Sequence, residues 1–327
     1  MKLSIARALQ TLALVLSLGL TASVHADTYP VNSLRIIVPF GNSSGLDPIA
    51  RRIGERLAEQ MKINVTVENR EGASGQVGVM AAVAAPPDGS TIVLVVNPPF
   101  AALPYMRKKP PYEPLVDLTP IARVVITPLM LIASNHSPFK TFDEMLQVAK
   151  KNPGKLNYGS SGVGTASHLK MEQLKLLKAL DINFVPYKST GQQMTDTIGG
   201  QIELSMPSVA GGVGQVQAGL VQALAVGSSK RIPLLPKVPT LAEATGQANL
   251  EAVVWYGFMG PKGMPAPIVA TLAAEIEKAL ETPAMVKIAE SMGADRAFLG
   301  PVPFADMLRK DAENTRELIQ RLKLSDE

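Results

Sequence analysis

Along this chain, short apolar runs alternate with stretches whose apolar residues recur every three or four positions. Leu34–Phe40 is a continuous apolar run, the pattern of a buried strand. Leu46, Ile49, Ile53 and Leu57 then fall on one helical face, with Arg51, Arg52, Glu55 and Glu59 between them, which predicts an amphipathic helix over Asp47–Met61. Asn64–Glu68 reads as a strand, Ser74–Ala84 as a helix of small residues stopped by Pro86-Pro87-Asp88-Gly89, and Thr91–Asn97 as a third strand. Strand–helix–strand–helix–strand at this length predicts parallel pairing with right-handed crossovers.

Pro98–Pro120 is rich in proline and reads as a long loop. The alternation then resumes. Strands are expected at Leu129–Ala133, Leu156–Gly159, Asn183–Pro186, Ile202–Met206 and Val221–Val226, with helices at Thr141–Lys150, Ala166–Leu180, Gly191–Ile198 and Val209–Ala218. After a loop at Lys230–Pro239 comes one more apolar run, Val253–Met259, and then helices at Ala266–Leu280, Ala284–Met292 and Phe304–Leu322. These last helices have no adequate sheet of their own, and the three N-terminal strands offer one. The expected fold is therefore two doubly wound α/β domains with a cleft between them. Residues 27–126 and 254–327 would form a discontinuous first domain and 127–253 an inserted second one, joined by crossings near Val124–Pro128 and Val253–Phe258. Ligands of such folds sit where strand carboxyl ends and helix N-termini face each other.

Composition changes the picture at the N-terminus. Lys2 and Arg7 precede an uncharged run, Ala8–Leu20, and Val24-His25-Ala26 ends in a small residue, the pattern of an export signal cleaved after Ala26. Removing those 26 of 327 residues takes two basic residues and no acidic ones, so the formal charge falls from +4 to +2. A near-neutral chain with no Lys/Arg cluster interleaved with aromatics is not a nucleic-acid binder. Cysteine is absent, which excludes disulfides, thiolate metal sites and a lipid-modified N-terminal cysteine. With two histidines left after cleavage, no histidine metal site and no cofactor are expected.

The candidate chemistry lies in the turns. Gly41-Asn42-Ser43-Ser44-Gly45 has the G-x-S-x-G form of a nucleophile elbow on a strand-to-helix turn. Against a nucleophilic Ser43, the motif follows the first strand of the mature chain, and neither His136 nor His168 stands in the late position a Ser…Asp…His order needs. The other reading is an anion site. A Gly/Ser turn opening a helix presents N–H groups and hydroxyls, and the helix dipole adds about half a positive charge there. Asp47 reads as the N-cap with Pro48 at N1. A second such turn is Tyr158-Gly159-Ser160-Ser161-Gly162-Val163-Gly164-Thr165-Ala166-Ser167-His168, in which His168 reads as a packed or capping residue. A third, Val185–Gln193, has Thr190 and Gln193 at capping-box spacing, with Lys188 as a solvated cation. Trp255-Tyr256 suits a hinge or a cleft wall equally.

With these turns in place, the chain resembles the Bug-type solute-binding proteins of tripartite tricarboxylate transporters. The stretches that carry the resemblance are RIIVPFGNSSGLD, VTVENREGASGQVG, PPDGSTIVLV, LNYGSSGVGTASHL, VPYKSTGQQMTDTIGGQIEL, QALAVGSSKR, LPKVPTLAEA and WYGFMGPKGMPAPIV. The resemblance implies a periplasmic binding protein of type II, a Venus flytrap and not an enzyme. Its ligand would be a small carboxylate, a di- or tricarboxylate or an aromatic acid. The ligand would be held by Phe40, Gly41, Asn42, Ser43, Ser44 and Asp47 of the first turn and by Ser160, Ser161 and Thr165 of the second, with Asn97 and Ser208 also lining the cleft. The implied partners are membrane transporter subunits or a sensor, met by a monomer. Serines stand here for two glycines common in the first turn, Leu46 for a common threonine, and Pro207 for an acidic residue that would suit an ammonium group. The readings outside transport are a secreted serine hydrolase and a binding protein that serves signalling alone.

Overall fold

The computed structural model describes residues 29, 32–41, 46–97, 102, 105–106, 110–187, 189–248, 250–322 and 324. Two mixed sheets form the frame. In chain order the first carries β1 (Ser33–Val38), β2 (Asn64–Asn69), β3 (Thr91–Val96), β4 (Leu118–Pro128), β10 (Val253–Pro261) and β11 (Asp295–Leu299). Its strand order is β11-β4-β10-β3-β1-β2. The second sheet holds β5 (Met130–Ser134), β6 (Asn157–Ser160), β7 (Asn183–Pro186), β8 (Leu204–Ser205) and β9 (Val221–Val226), in the order β7-β6-β8-β5-β9.

As expected from the alternation, β1 pairs in parallel with both β2 and β3. The other half of that sheet is antiparallel: β10 runs between β3 and β4, and β11 closes the edge against β4. The period-two alternation of strand side chains separates the faces. Leu34, Ile36 and Val38 of β1 join one core cluster, whereas Ile37 joins the other. On the first face lie Ile49, Ile53 and Leu57 of α1 (Leu46–Met61), with Leu272 and Ile276 of α9 (Ala266–Leu280). On the second lie Val79 and Ala82 of α2 (Gln76–Val83), with Phe304 and Leu308 of α11 (Pro301–Leu322). The C-terminal helices thus cover the sheet that the N-terminal strands begin.

The stretch expected as a loop to Pro120 is corrected: a one-turn helix α3 (Pro114–Asp117) leads into β4 at Leu118. Pro120 and Pro128 disguise this eleven-residue strand, because proline is depleted inside sheets. Here β11 reaches only Arg123–Ile126 of β4, so both prolines lie where one side of the strand is free of that partner. The crossings shift for the same reason. Both Val124–Pro128 and Val253–Phe258 lie inside the first sheet, where Val125–Pro128 pair with Val253–Tyr256. The chain leaves that sheet at Leu129 and returns after Ala252, and these two points are tied together. The Leu129 N–H donates to the Ala252 carbonyl at 2.7 Å, the Gly227 N–H to the Leu129 carbonyl at 2.7 Å, and the Ala252 N–H to the Gly227 carbonyl at 2.9 Å. A Cβ on Gly227 would lie 2.1 Å from the Ala252 oxygen, so only glycine fits there.

Around the second sheet stand α4 (Phe142–Lys151), α5 (Ala166–Lys178), α6 (Thr190–Ile198), α7 (Val209–Gln217) and α8 (Leu241–Thr245), while α10 (Pro283–Ser291) completes the first unit. Thr141 and Thr240 close capping boxes with Glu144 and Glu243.

Candidate functional site

The first turn is held at both ends by one residue. The Asn69 side-chain amide, at the end of β2, donates to the Phe40 carbonyl and to Asp47 Oδ1, both at 2.9 Å. Arg51 completes the triangle, its Nε donating to Asp47 Oδ2 at 2.8 Å and a terminal nitrogen to Asn69 Oδ1 at 3.0 Å. This corrects the reading of Asp47 as N-cap. Helix α1 starts at Leu46, so Asp47 lies inside its first turn, buried, with its carboxylate committed to Asn69 and Arg51. Burial works against its charge, but the bonds from Arg51 and Asn69 outweigh it and hold the carboxyl below its ordinary range. Phe40 and Gly41 are half-buried at the turn's start. Asn42, Ser43, Ser44 and Gly45 lie outside the described residues, as does Lys188. Behind the turn, a Cβ on Gly78 would come within 2.7 Å of Pro39 Cα and 2.9 Å of the Arg70 carbonyl, so the small-residue helix α2 approaches the turn only because that position is glycine.

The second turn is built around buried hydroxyls. Ser160 Oγ, fully buried, lies 2.6 Å from Thr165 Oγ1 and 2.7 Å from Ser167 Oγ, and Thr165 Oγ1 donates to the Gly162 carbonyl at 2.8 Å. One direction satisfies all of them: Ser167 donates to Ser160, Ser160 to Thr165 and Thr165 to Gly162, a chain whose members polarise one another. Thr165 is the N-cap residue of α5, yet its hydroxyl makes no capping bond. By contrast Ser189 and Ser208 accept from Gln192 and Gly211 N–H groups at the starts of α6 and α7. The first-turn donors of α5 are therefore left for something other than their own cap. Ser161 is half-buried on the rim.

His168 is packed, as its bland reading expected. It is buried, its ring centroid 4.3 Å from that of Phe184, and its Nδ1 accepts from the Gly164 N–H at 3.2 Å. Burial pushes its pKa down to about 4, with the Glu172 carboxylate opposing and Lys175 assisting. A neutral ring used as an acceptor braces the glycine turn. The capping-box reading of the third turn is corrected: Ser189, not Thr190, caps α6, and the Gln193 amide is drawn away to donate to the Gly159 carbonyl at 3.0 Å.

Between the two units lies a cavity of about 740 Å³ whose walls include Asn97, Ala166, Lys170, Asp311 and Arg321. Asn97 Oδ1 accepts from the Trp255 backbone N–H at 2.8 Å, and the Trp255 indole donates to Asp311 Oδ2 at 2.6 Å. Trp255 is buried edge-on to Phe304, so it packs within the first unit and its backbone also orients a cavity-wall residue. Sequence reasoning missed Asn69, Ser167, Lys170 and Asp311. Asn69 and Ser167 stood within the quoted stretches with no periodicity to mark them, and α5 and α11 meet only in three dimensions. Among the described residues no group of histidine or acidic side chains could hold a metal ion, and no helix is long and apolar enough to cross a membrane.

Residues 49–324 match the family model described as the Tripartite tricarboxylate transporter family receptor. The chain belongs to this family. The receptor is a solute-binding protein and not an enzyme, and its two-domain α/β fold is that of periplasmic binding proteins. It is similar to the periplasmic binding protein BugD, with 31% identity and a TM-score of 0.79 over 91% of this chain and 100% of that one. A protein of R. palustris solved with adipate is 26% identical, with a TM-score of 0.80 over 90% of the receptor and 98% of that chain. MatC from Rhodopseudomonas palustris with bound malate is 27% identical, with a TM-score of 0.76 over 89% and 100%.

Proposed function

We propose that the receptor is exported, loses its leader after Ala26, and captures a small carboxylate in the interdomain cleft for the membrane subunits of a tripartite transporter. In this reading residues 27–128 and 253–327 form one domain and 129–252 the other, the expected boundaries moved to where the chain leaves and re-enters the first sheet. The ligand meets Phe40 to Ser44 from the first turn and Ser161 and Thr165 from the second, with Ser160 behind them in the hydroxyl chain, Asn97 on the cavity wall and Ser208 at the start of α7. Asp47 acts through Asn69 to fix the first turn. The observation that carries the reading is the second turn. It leads into α5, whose first-turn N–H groups are uncapped and whose dipole favours an anion.

Adipate and malate, bound by two of the structural neighbours, are both dicarboxylates, which favours a short diacid over an aromatic acid. The bond between Asn97 Oδ1 and the Trp255 N–H supports the same chemistry, because it turns the Asn97 amide nitrogen into the free donor. A thermal-shift screen of the purified receptor against mono-, di- and tricarboxylates tests the proposal. A ligand at 100 times its Kd adds about 2.7 kcal/mol. Stabilisation by a carboxylate is expected, and no shift across the panel would overturn the reading.

A further inference from the structure

We propose that Lys170 is a specificity-determining residue of the cleft, receiving the second carboxylate of a diacid whose first carboxylate lies at the start of α5. The inference rests on the carboxylate-binding function proposed above and names the group that would separate diacids from monoacids.

Four observations carry it. Lys170 lies in α5 four residues after Ala166, about 6 Å further along the axis at 1.5 Å per residue. Lys170 shares the cavity wall with Ala166 of the uncapped first turn. It lines the cavity together with Asn97, whose amide oxygen is already taken by the Trp255 N–H and whose nitrogen is left to donate. Finally, it is poorly compensated. Among the described residues its one hydrogen bond goes to Gln173 Oε1 at 3.3 Å, and it joins no ion pair within 4 Å.

An ammonium has three donors, and burial here disfavours its charge, pulling its pKa down against the fields of Asp311 and Glu251. Such a group gains from an anion brought by a ligand. Asp311 lines the same cavity, but it is occupied by the Trp255 indole and burial pushes it toward the neutral form. A short aliphatic diacid can span the interval from the start of α5 to this ammonium. A monoacid of the same length puts a methyl group against it.

Calorimetric titration of the whole mature receptor with adipate against hexanoate, and succinate against butyrate, tests the proposal in the wild type, Lys170→Met and Lys170→Arg. The wild type should prefer each diacid by about tenfold or more, the scale of a hydrogen bond to a charged group. Lys170→Met should lose that preference while still binding the monoacid, and Lys170→Arg should keep most of it. Lys170→Gln serves in place of the methionine variant should that one not fold, with the same loss expected. A preference unchanged in Lys170→Met would overturn the assignment. An equal loss for both acids would also overturn it, since Lys170 would then be joining the two halves across to Asp311. A wild type that binds no carboxylate would overturn the proposed function itself, a result distinct from either.

Discussion

Acidification should unlock the second turn through His168. In the native protein its neutral Nδ1 accepts from the Gly164 N–H while the ring packs on Phe184, and burial holds its pKa down to about 4. In the unfolded chain the same group titrates near 6.5. Between these values the unfolded state binds a proton that the native state does not, so stability rises with pH across this window. The contribution is fully present above about pH 6.5 and is lost progressively as pH falls toward 4. At 1.36 kcal/mol per pH unit the gap amounts to about 3 kcal/mol. Asp47 and Glu243, whose carboxyls are held below their ordinary range, lose their contribution lower still, and equally in any histidine variant. Urea unfolding of the wild type and His168→Gln, followed in steps from about pH 7 to about pH 4, isolates the difference. Glutamine retains an acceptor for Gly164 but does not titrate, so its curve should be flatter by about 3 kcal/mol over that range. Parallel curves for the two proteins would refute the argument.

Intact-mass measurement of the exported receptor should give a chain beginning at Asp27, and the full-length mass would contradict it. A fluorophosphonate probe should leave Ser43 unmodified, whereas an adduct lost on heat denaturation would mean a reactive serine. Affinity for the best carboxylate should change less than about tenfold between low and high ionic strength, because buried contacts are screened far less than exposed ones; a larger loss that tracks ionic strength rather than chloride would point to an exposed cation. Gly227→Ala should cost about 1–3 kcal/mol or more in urea unfolding, the range for overpacking, because its methyl would meet the Ala252 carbonyl; an unchanged midpoint would show that the crossing gives way freely.

The fold was legible wherever burial writes a period into the residues. Asn183–Pro186, Val221–Val226 and Ala266–Leu280 have the bounds their patterns predict. Pattern failed where another constraint overrode it. The prolines of β4 imitate a loop, and β11 is an edge strand of five residues, Asp-Arg-Ala-Phe-Leu, too polar and short to announce itself. The parallel half of the first sheet follows from alternation with helices. Its antiparallel half depends on β10 returning from the second unit, a long-range event that no local window contains. At the site, Gly/Ser composition located the second turn, but not which hydroxyls face inward. Ser160 stands next to Ser161 in the chain, yet the first is sealed in the hydroxyl chain and the second sits on the rim. The Thr190–Gln193 spacing misled because Gln193 found a stronger use at the Gly159 carbonyl.

The same geometry that suggested a reactive serine explains why binding, and not reaction, is what this architecture does well. A nucleophile needs a base held within hydrogen-bond reach and oriented by a third group. Among the described residues the histidine of the second turn, His168, is buried, kept neutral, and spends its Nδ1 on a backbone N–H. What the two units share instead is a pair of adjacent crossings. Leu129 and Ala252 are bonded to each other and to Gly227, so the chain passes between the units at two adjacent crossings while each unit keeps its own sheet. Away from those crossings α5 and α11 meet, with Leu169 and Ile319 in one buried apolar cluster, and both helices line the cavity. If the units close on a ligand, the ligand drives that closure only by its difference in affinity for the open and closed arrangements. Groups that touch the ligand from one unit alone cannot supply such a difference. In the proposed site such a difference would come from contacts completed across the cavity, from Asn97, oriented by the Trp255 N–H, on one side and from the start of α5 on the other.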